Sequence, residues 1–158
     1  MRPISRLFAL FIMAALSGCA SQQARMMKSF DNAGDDVYVR FERTECFGTC
    51  PVYELVIRGN RELEYTGKSF AKPKGSFTAT ISEEDWDKLR NKIIEVEFFN
   101  FEDEYDAPIS DVPTTITEVF ISDKRNKTVI NRWDAPEKLV ALETFIDQLW
   151  QSYVVEDR

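Results

Sequence analysis

The chain has 158 residues, 44% of them hydrophobic, so it can bury a substantial core and is not a disordered protein. Its 27 acidic and 20 basic residues give a net charge of −7, which repels phosphate backbones and excludes nucleic acid as the expected partner. Because the chain contains no histidine, Ser–His and Cys–His nucleophile pairs and zinc sites with imidazole ligands are excluded. The sequence predicts no catalytic residue, metal site or cofactor.

The first residues have the pattern of a secretory signal peptide. Two arginines, Arg2 and Arg6, precede an apolar run over residues 7–16. This run is well short of the roughly 20 residues with which a helix spans a bilayer. A basic start, a short apolar middle and a small-residue exit are typical of export signals, so residues 1–18 are predicted to be removed.

The end of this segment carries a lipidation motif. Leu16-Ser17-Gly18-Cys19 resembles the lipobox of bacterial lipoprotein precursors. The resemblance implies that the chain is cut before Cys19, which is acylated and anchors the protein in a membrane of the cell envelope. Since Ala20 rather than aspartate follows, it implies the periplasmic side of the outer membrane in a Gram-negative host. The alternative is an ordinary secretory signal with an incidental cysteine.

Composition and periodicity divide the rest of the chain into two parts. Residues 19–36 mix Ser, Gln, Asn, Gly and Asp with little periodicity, and are predicted to form a flexible, lipid-anchored tether. Residues 37–153 have the length and apolar content of one domain. The sequence therefore predicts a single domain behind a tether.

Alternation of apolar and polar residues predicts six short strands in this domain. They cover residues 37–42, 53–57, 63–65, 76–81, 117–121 and 128–133. The turn between the second and third strands decides their register. A two-residue turn would set Ile57 opposite Glu62, whereas a three-residue turn over residues 59–61 sets Ile57 opposite Leu63 and Leu55 opposite Tyr65. We predict the longer turn, because it places every apolar pair on one face.

Two amphipathic helices accompany the strands. Ser82 is predicted to cap the first helix, and its apolar stripe consists of Trp86, Leu89, Ile93 and Val96. The last helix has Leu139, Leu142, Phe145, Ile146, Leu149 and Tyr153 at helical spacing. The order of strands, helix, hairpin and helix predicts an α+β domain, with an antiparallel sheet of five or six strands and two helices packed on one face.

The densest local motif is Cys46-Phe47-Gly48-Thr49-Cys50-Pro51-Val52-Tyr53. Once Cys19 is lipidated, Cys46 and Cys50 remain as an even pair in an oxidising compartment, where a disulfide is their default state. The segment resembles the signature C-x-G-x-C-P-x-Y of a family of bacterial lipoproteins and secreted proteins with no assigned function. The resemblance extends over most of residues 37–150 and implies a single domain, but it implies no substrate, cofactor or catalytic residue.

The same cysteines support an alternative function. The run C-x-x-x-C-P also resembles the copper-binding motif of periplasmic copper-delivery proteins with a thioredoxin-like fold. Those proteins add a distant histidine, which this chain lacks, and the predicted strand order lacks their βαβ unit. Because two thiolates can hold Cu(I) or exchange disulfides, thiol-redox or copper handling through Cys46 and Cys50 is the alternative.

A long stretch without periodicity, residues 98–114, follows the first helix. Its candidate partner-contact residues are Phe99, Phe101, Tyr105, Asp106 and Asp111. The aromatic residues either contact a partner or plug the open end of the sheet. The favoured function is a non-enzymatic envelope lipoprotein whose sheet or long loop binds another envelope protein or a cell-wall component.

Overall fold

The computed structural model of the protein describes residues 22–154, and the predicted signal peptide and the lipidated Cys19 lie outside the described residues. The described part begins with helix α1 over residues 22–33, which a short 3-10 helix at Gly34–Asp36 continues. Among residues 22–154, no helix is long and apolar enough to cross a membrane.

Helix α1 corrects the predicted flexible tether from residue 22 onward. Phe30 is 2% exposed and belongs to the hydrophobic core, and Met26 and Ala33 pack against that core. These three residues follow the spacing of one helix face, although Ser29, Asp31 and Asn32 between them are weak helix formers. The polar composition of the segment concealed a helix that the domain stabilises by burying its apolar face.

Seven strands form one mixed sheet. They are β1 (Tyr38–Arg43), β2 (Tyr53–Arg58), β3 (Glu62–Gly67), β4 (Gly75–Thr80), β5 (Glu104–Tyr105), β6 (Thr115–Ser122) and β7 (Arg125–Asn131), in the order β4-β3-β2-β1-β6-β7-β5. All neighbours are antiparallel except β5, which runs parallel to β7. The prediction of five or six antiparallel strands was wrong, because β5 has two residues and is too short to show alternation.

The predicted register of the β2–β3 hairpin is confirmed. Ile57 lies opposite Leu63 and Leu55 opposite Tyr65. The turn requires a left-handed backbone at Arg61, whose φ is 70°, a conformation that non-glycine residues adopt infrequently. Burying the apolar pairs on one face therefore decides the turn.

Helices α2 (Glu83–Glu95) and α3 (Glu137–Gln151) complete the domain. Ser82 caps α2 as predicted, since its hydroxyl accepts a hydrogen bond from the Asp85 N–H at 3.1 Å. The apolar faces of all three helices and the inward residues of β1, β2, β3, β6 and β7 share one core. The domain is α+β as predicted, with α1 added to the two helices expected on the inner face of the sheet.

Candidate functional site

A disulfide joins Cys46 and Cys50 in the connection between β1 and β2. It closes a very short loop, which stabilises a fold by roughly 2 kcal/mol in the chain-entropy model. The segment after it is fixed to the connection between β3 and β4, because the Val52 N–H donates to Ser69 O and the Lys68 N–H donates to Val52 O, both at 2.8 Å. The predicted pairing is confirmed, and the disulfide lies on an anchored segment.

A cavity of about 620 Å³ opens beside this disulfide. It lies at the end of the sheet where β1 ends and β2 begins, under the C-terminal end of α3. Three residues of the cysteine motif line it: Cys50, Pro51 and Tyr53. The other lining residues are Arg43, Tyr65, Phe70, Lys72, Pro113, Asp147, Trp150, Gln151 and Val154.

The polar centre of the cavity is a hydrogen-bonded group of three side chains. Arg43 Nε donates to Asp147 Oδ2 at 3.0 Å, and the Tyr53 hydroxyl donates to the other oxygen of the same carboxylate. Arg43 also donates to Thr115 Oγ1 at 3.0 Å. The group therefore joins β1, β2 and β6 to α3, and we call Arg43, Tyr53 and Asp147 the polar triad.

Burial and pairing fix the protonation states of the triad. Burial raises the pKa of the Tyr53 hydroxyl far above its ordinary value, and the hydrogen bond to Asp147 raises it further. Burial lowers the pKa of Arg43, but the hydrogen bond and the charge of Asp147 outweigh it and raise that pKa overall. At physiological pH the tyrosine is therefore neutral and the arginine charged.

Aromatic side chains form the apolar wall of the cavity. The ring centroids of Tyr65 and Trp150 are 4.5 Å apart, and Tyr53 lies within 5.6 Å of both. Burial raises the pKa of Tyr65 to about 12, so this hydroxyl is also neutral. At the rim Phe70 is 55% exposed and has a left-handed backbone with φ of 56°, which is strained for a bulky side chain.

Lys72 supplies a second positive charge to the cavity. Its side chain makes no ion pair with any residue in the described range. Arg43, in contrast, is paired with Asp147. Two cations and one carboxylate therefore line the cavity, although the whole chain carries a net charge of −7.

The predicted partner-contact residues do not line this cavity. Phe99, Phe101 and Tyr105 are half-buried and pack against the core, as the plugging alternative requires. Asp106 is exposed and lies 3.6 Å from the guanidinium of Arg132, and Asp111 is exposed with a left-handed backbone. A contact role for these five residues stays a prediction.

The sequence did not identify Arg43, Phe70, Lys72, Asp147 or Trp150 as site residues. The available signal was on α3, where Glu143 and Asp147 are four residues apart beside the apolar stripe. Glu143 is four residues after Leu139 and three before Ile146, so helical spacing places it on the apolar face, and Asp147 follows one turn later. Glu143 is 4% exposed, which shows that this face of the helix is buried despite its charge.

The comparison with protein families covers the sheet, α2 and nearly all of α3, and its match begins after α1. No match to the chain was found among curated proteins. A family model described as "Domain of unknown function (DUF6438)" matches residues 37–150, which include all seven strands, α2 and all but the last residue of α3. The chain therefore belongs to the DUF6438 family of domains of unknown function.

Proposed function

We propose that the protein is a lipid-anchored binding module of the bacterial cell envelope, which holds a small ligand in the cavity beside the disulfide. The cavity itself carries this proposal. A volume of about 620 Å³, apolar walls and a few fixed polar groups are typical of small-molecule sites. The polar triad lies on strands and a helix, and such elements hold a binding geometry better than loops do.

The chemistry of the lining favours binding over catalysis. The Cys50 sulfur is bonded to Cys46, and the Tyr53 hydroxyl stays protonated, so neither supplies a nucleophile. Thiol exchange or copper binding through Cys46 and Cys50 would first require reduction of their disulfide. The triad is therefore better suited to orienting a ligand than to transforming one.

Filling the cavity tests the proposed site. Gln151 is an exposed residue that lines the cavity, and Gln148 is an exposed residue of the same helix that does not. We expect Gln151→Trp to lose binding of small aromatic and aliphatic compounds that the wild-type protein binds, because the indole occupies their volume. Calorimetry on the lipidated protein in nanodiscs measures this, with Gln148→Trp as the matched control. Equal binding by both variants would exclude the cavity as the site.

The anchor is tested at Cys19. We expect Cys19→Ala to abolish palmitate labelling and either release the protein from membranes or stall the uncleaved precursor, because the lipobox cysteine accepts the acyl chains. The control replaces Cys46 and Cys50 together by alanine, and it should keep the label. In a Gram-negative host, the wild-type protein should fractionate with the outer membrane. Unchanged labelling of Cys19→Ala would contradict the anchor.

A further inference from the structure

The charge of the cavity is opposite to that of the protein around it. Both carboxylate oxygens of Asp147 accept hydrogen bonds, from Arg43 and from Tyr53, and the charge of Arg43 compensates the negative charge of Asp147 within the triad. Lys72 is left without a partner among the described side chains, and it contributes an uncompensated positive charge at the cavity wall. In an acidic protein, such a local positive charge favours an anionic ligand.

The loop that carries Lys72 is held in place. The Tyr65 hydroxyl donates to Pro73 O at 3.2 Å, and the Val52 N–H bonds the same loop at Ser69. The loop also packs closely on β3, where a Cβ added at Gly67 would lie 2.1 Å from Pro73 O. Because the loop backbone is fixed at both ends, the points from which the Lys72 and Phe70 side chains extend are set before a ligand arrives.

The apolar part of the cavity indicates what the anion carries. Phe70 presents an exposed ring at the rim, and Tyr65 and Trp150 line the interior. The indole N–H of Trp150 is buried and has no hydrogen-bond partner among residues 22–154. Aromatic walls with few polar groups suit a flat apolar body better than a hydrated polar one.

We infer that the cavity binds a small organic anion with an aromatic or similarly flat apolar body, whose acidic group pairs with Lys72. This inference rests on the proposed function and adds the chemical class of the ligand. The ring lies against Phe70 and the aromatic wall, and the acidic group reaches the Lys72 ammonium. Arg43 has N–H groups beyond those that bind Asp147 and Thr115, and these offer further donors to the anion.

Two probes of the same shape test the charge requirement. We expect 2-naphthoate to bind the lipidated protein in phosphatidylcholine nanodiscs about tenfold more tightly than neutral 2-naphthamide, since a charge-assisted contact is worth that much. Lys72→Glu should remove this preference. Lys74→Glu should keep it, because Lys74 lies in the same loop, is also exposed and does not line the cavity. Empty nanodiscs correct for partition into lipid.

The outcomes separate the ligand class from the proposed function. If the two probes bind with equal affinity and Gln151→Trp binds neither, the ligand is not required to be an anion. The cavity would then still stand as a binding site. Binding of neither probe would overturn the ligand class. If the wild-type protein also bound none of the small aromatic and aliphatic compounds used to test the cavity, the proposed function would be overturned as well. A preference for 2-naphthoate that persists in Lys72→Glu would overturn the role of Lys72.

Discussion

Asp147→Asn should lower the free energy of unfolding by about 2 kcal/mol, because removing one partner leaves a charge uncompensated in a partly buried site. The side chains of Arg43 and Asp147 are 29% and 18% exposed, so solvent screens part of the full cost of a buried pair. Tyr53 also loses a charged acceptor for its hydroxyl. The wild-type carboxylate therefore stabilises the fold as well as ordering the cavity.

Urea unfolding at pH 7 measures the effect. The slope of the unfolding free energy against urea concentration should stay unchanged if only the stability has altered. The matched control is Asp106→Asn, whose ion pair with Arg132 is 3.6 Å long and about 40% exposed at each side chain. Such surface pairs are worth less than about 1 kcal/mol. Equal stability of Asp147→Asn and Asp106→Asn would show that the triad contributes nothing to the fold.

Ionisation of the Glu143 carboxyl should make the protein less stable as the pH rises. Burial raises the pKa of this carboxyl from its ordinary 4.5 to about 7 in the folded protein, although the hydrogen bond from Asn131 and the charge of Arg43 oppose the rise. The folded state therefore binds this proton more tightly than the unfolded state. The stability it contributes is present below pH 4.5 and is lost as the pH rises to about 7.

The expected loss is about 3 kcal/mol, since each unit of pKa corresponds to about 1.4 kcal/mol. Glu143→Gln cannot ionise, so its stability relative to wild type should increase between pH 5 and pH 8. Urea unfolding of both proteins at the two pH values gives this difference. The contributions of the other carboxylates to the pH dependence cancel, because both proteins contain them. Glu137→Gln, at the exposed start of α3, should show no such increase. A constant difference for Glu143→Gln would contradict the raised pKa.

Local patterns predicted those parts of the fold in which local and tertiary forces agree. The apolar alternation of β2 and β3 decided their register, and Ser82 marked the start of α2. In both cases one face is buried and one is solvated, so the burial pattern can be read along the chain.

The parts that were missed depend on contacts made only in the folded chain. Strand β5 is defined by its pairing with β7, and α1 by the burial of Phe30 in a core built from other elements. The disulfide could be predicted because cysteine count and compartment constrain it. The triad could not, because Arg43 and Asp147 are 104 positions apart and neither belongs to a recognisable motif.

The most direct test of the binding site is the response of the tryptophan indole signals to a ligand. Trp150 lines the cavity and is 4% exposed, whereas Trp133 is 47% exposed and does not line it. In a ¹H–¹⁵N spectrum of the ¹⁵N-labelled mature protein, 2-naphthoate should shift the Trp150 indole signal in a saturable way and leave that of Trp133 in place. A saturable shift of Trp133 with no change at Trp150 would show that the cavity is not the binding site.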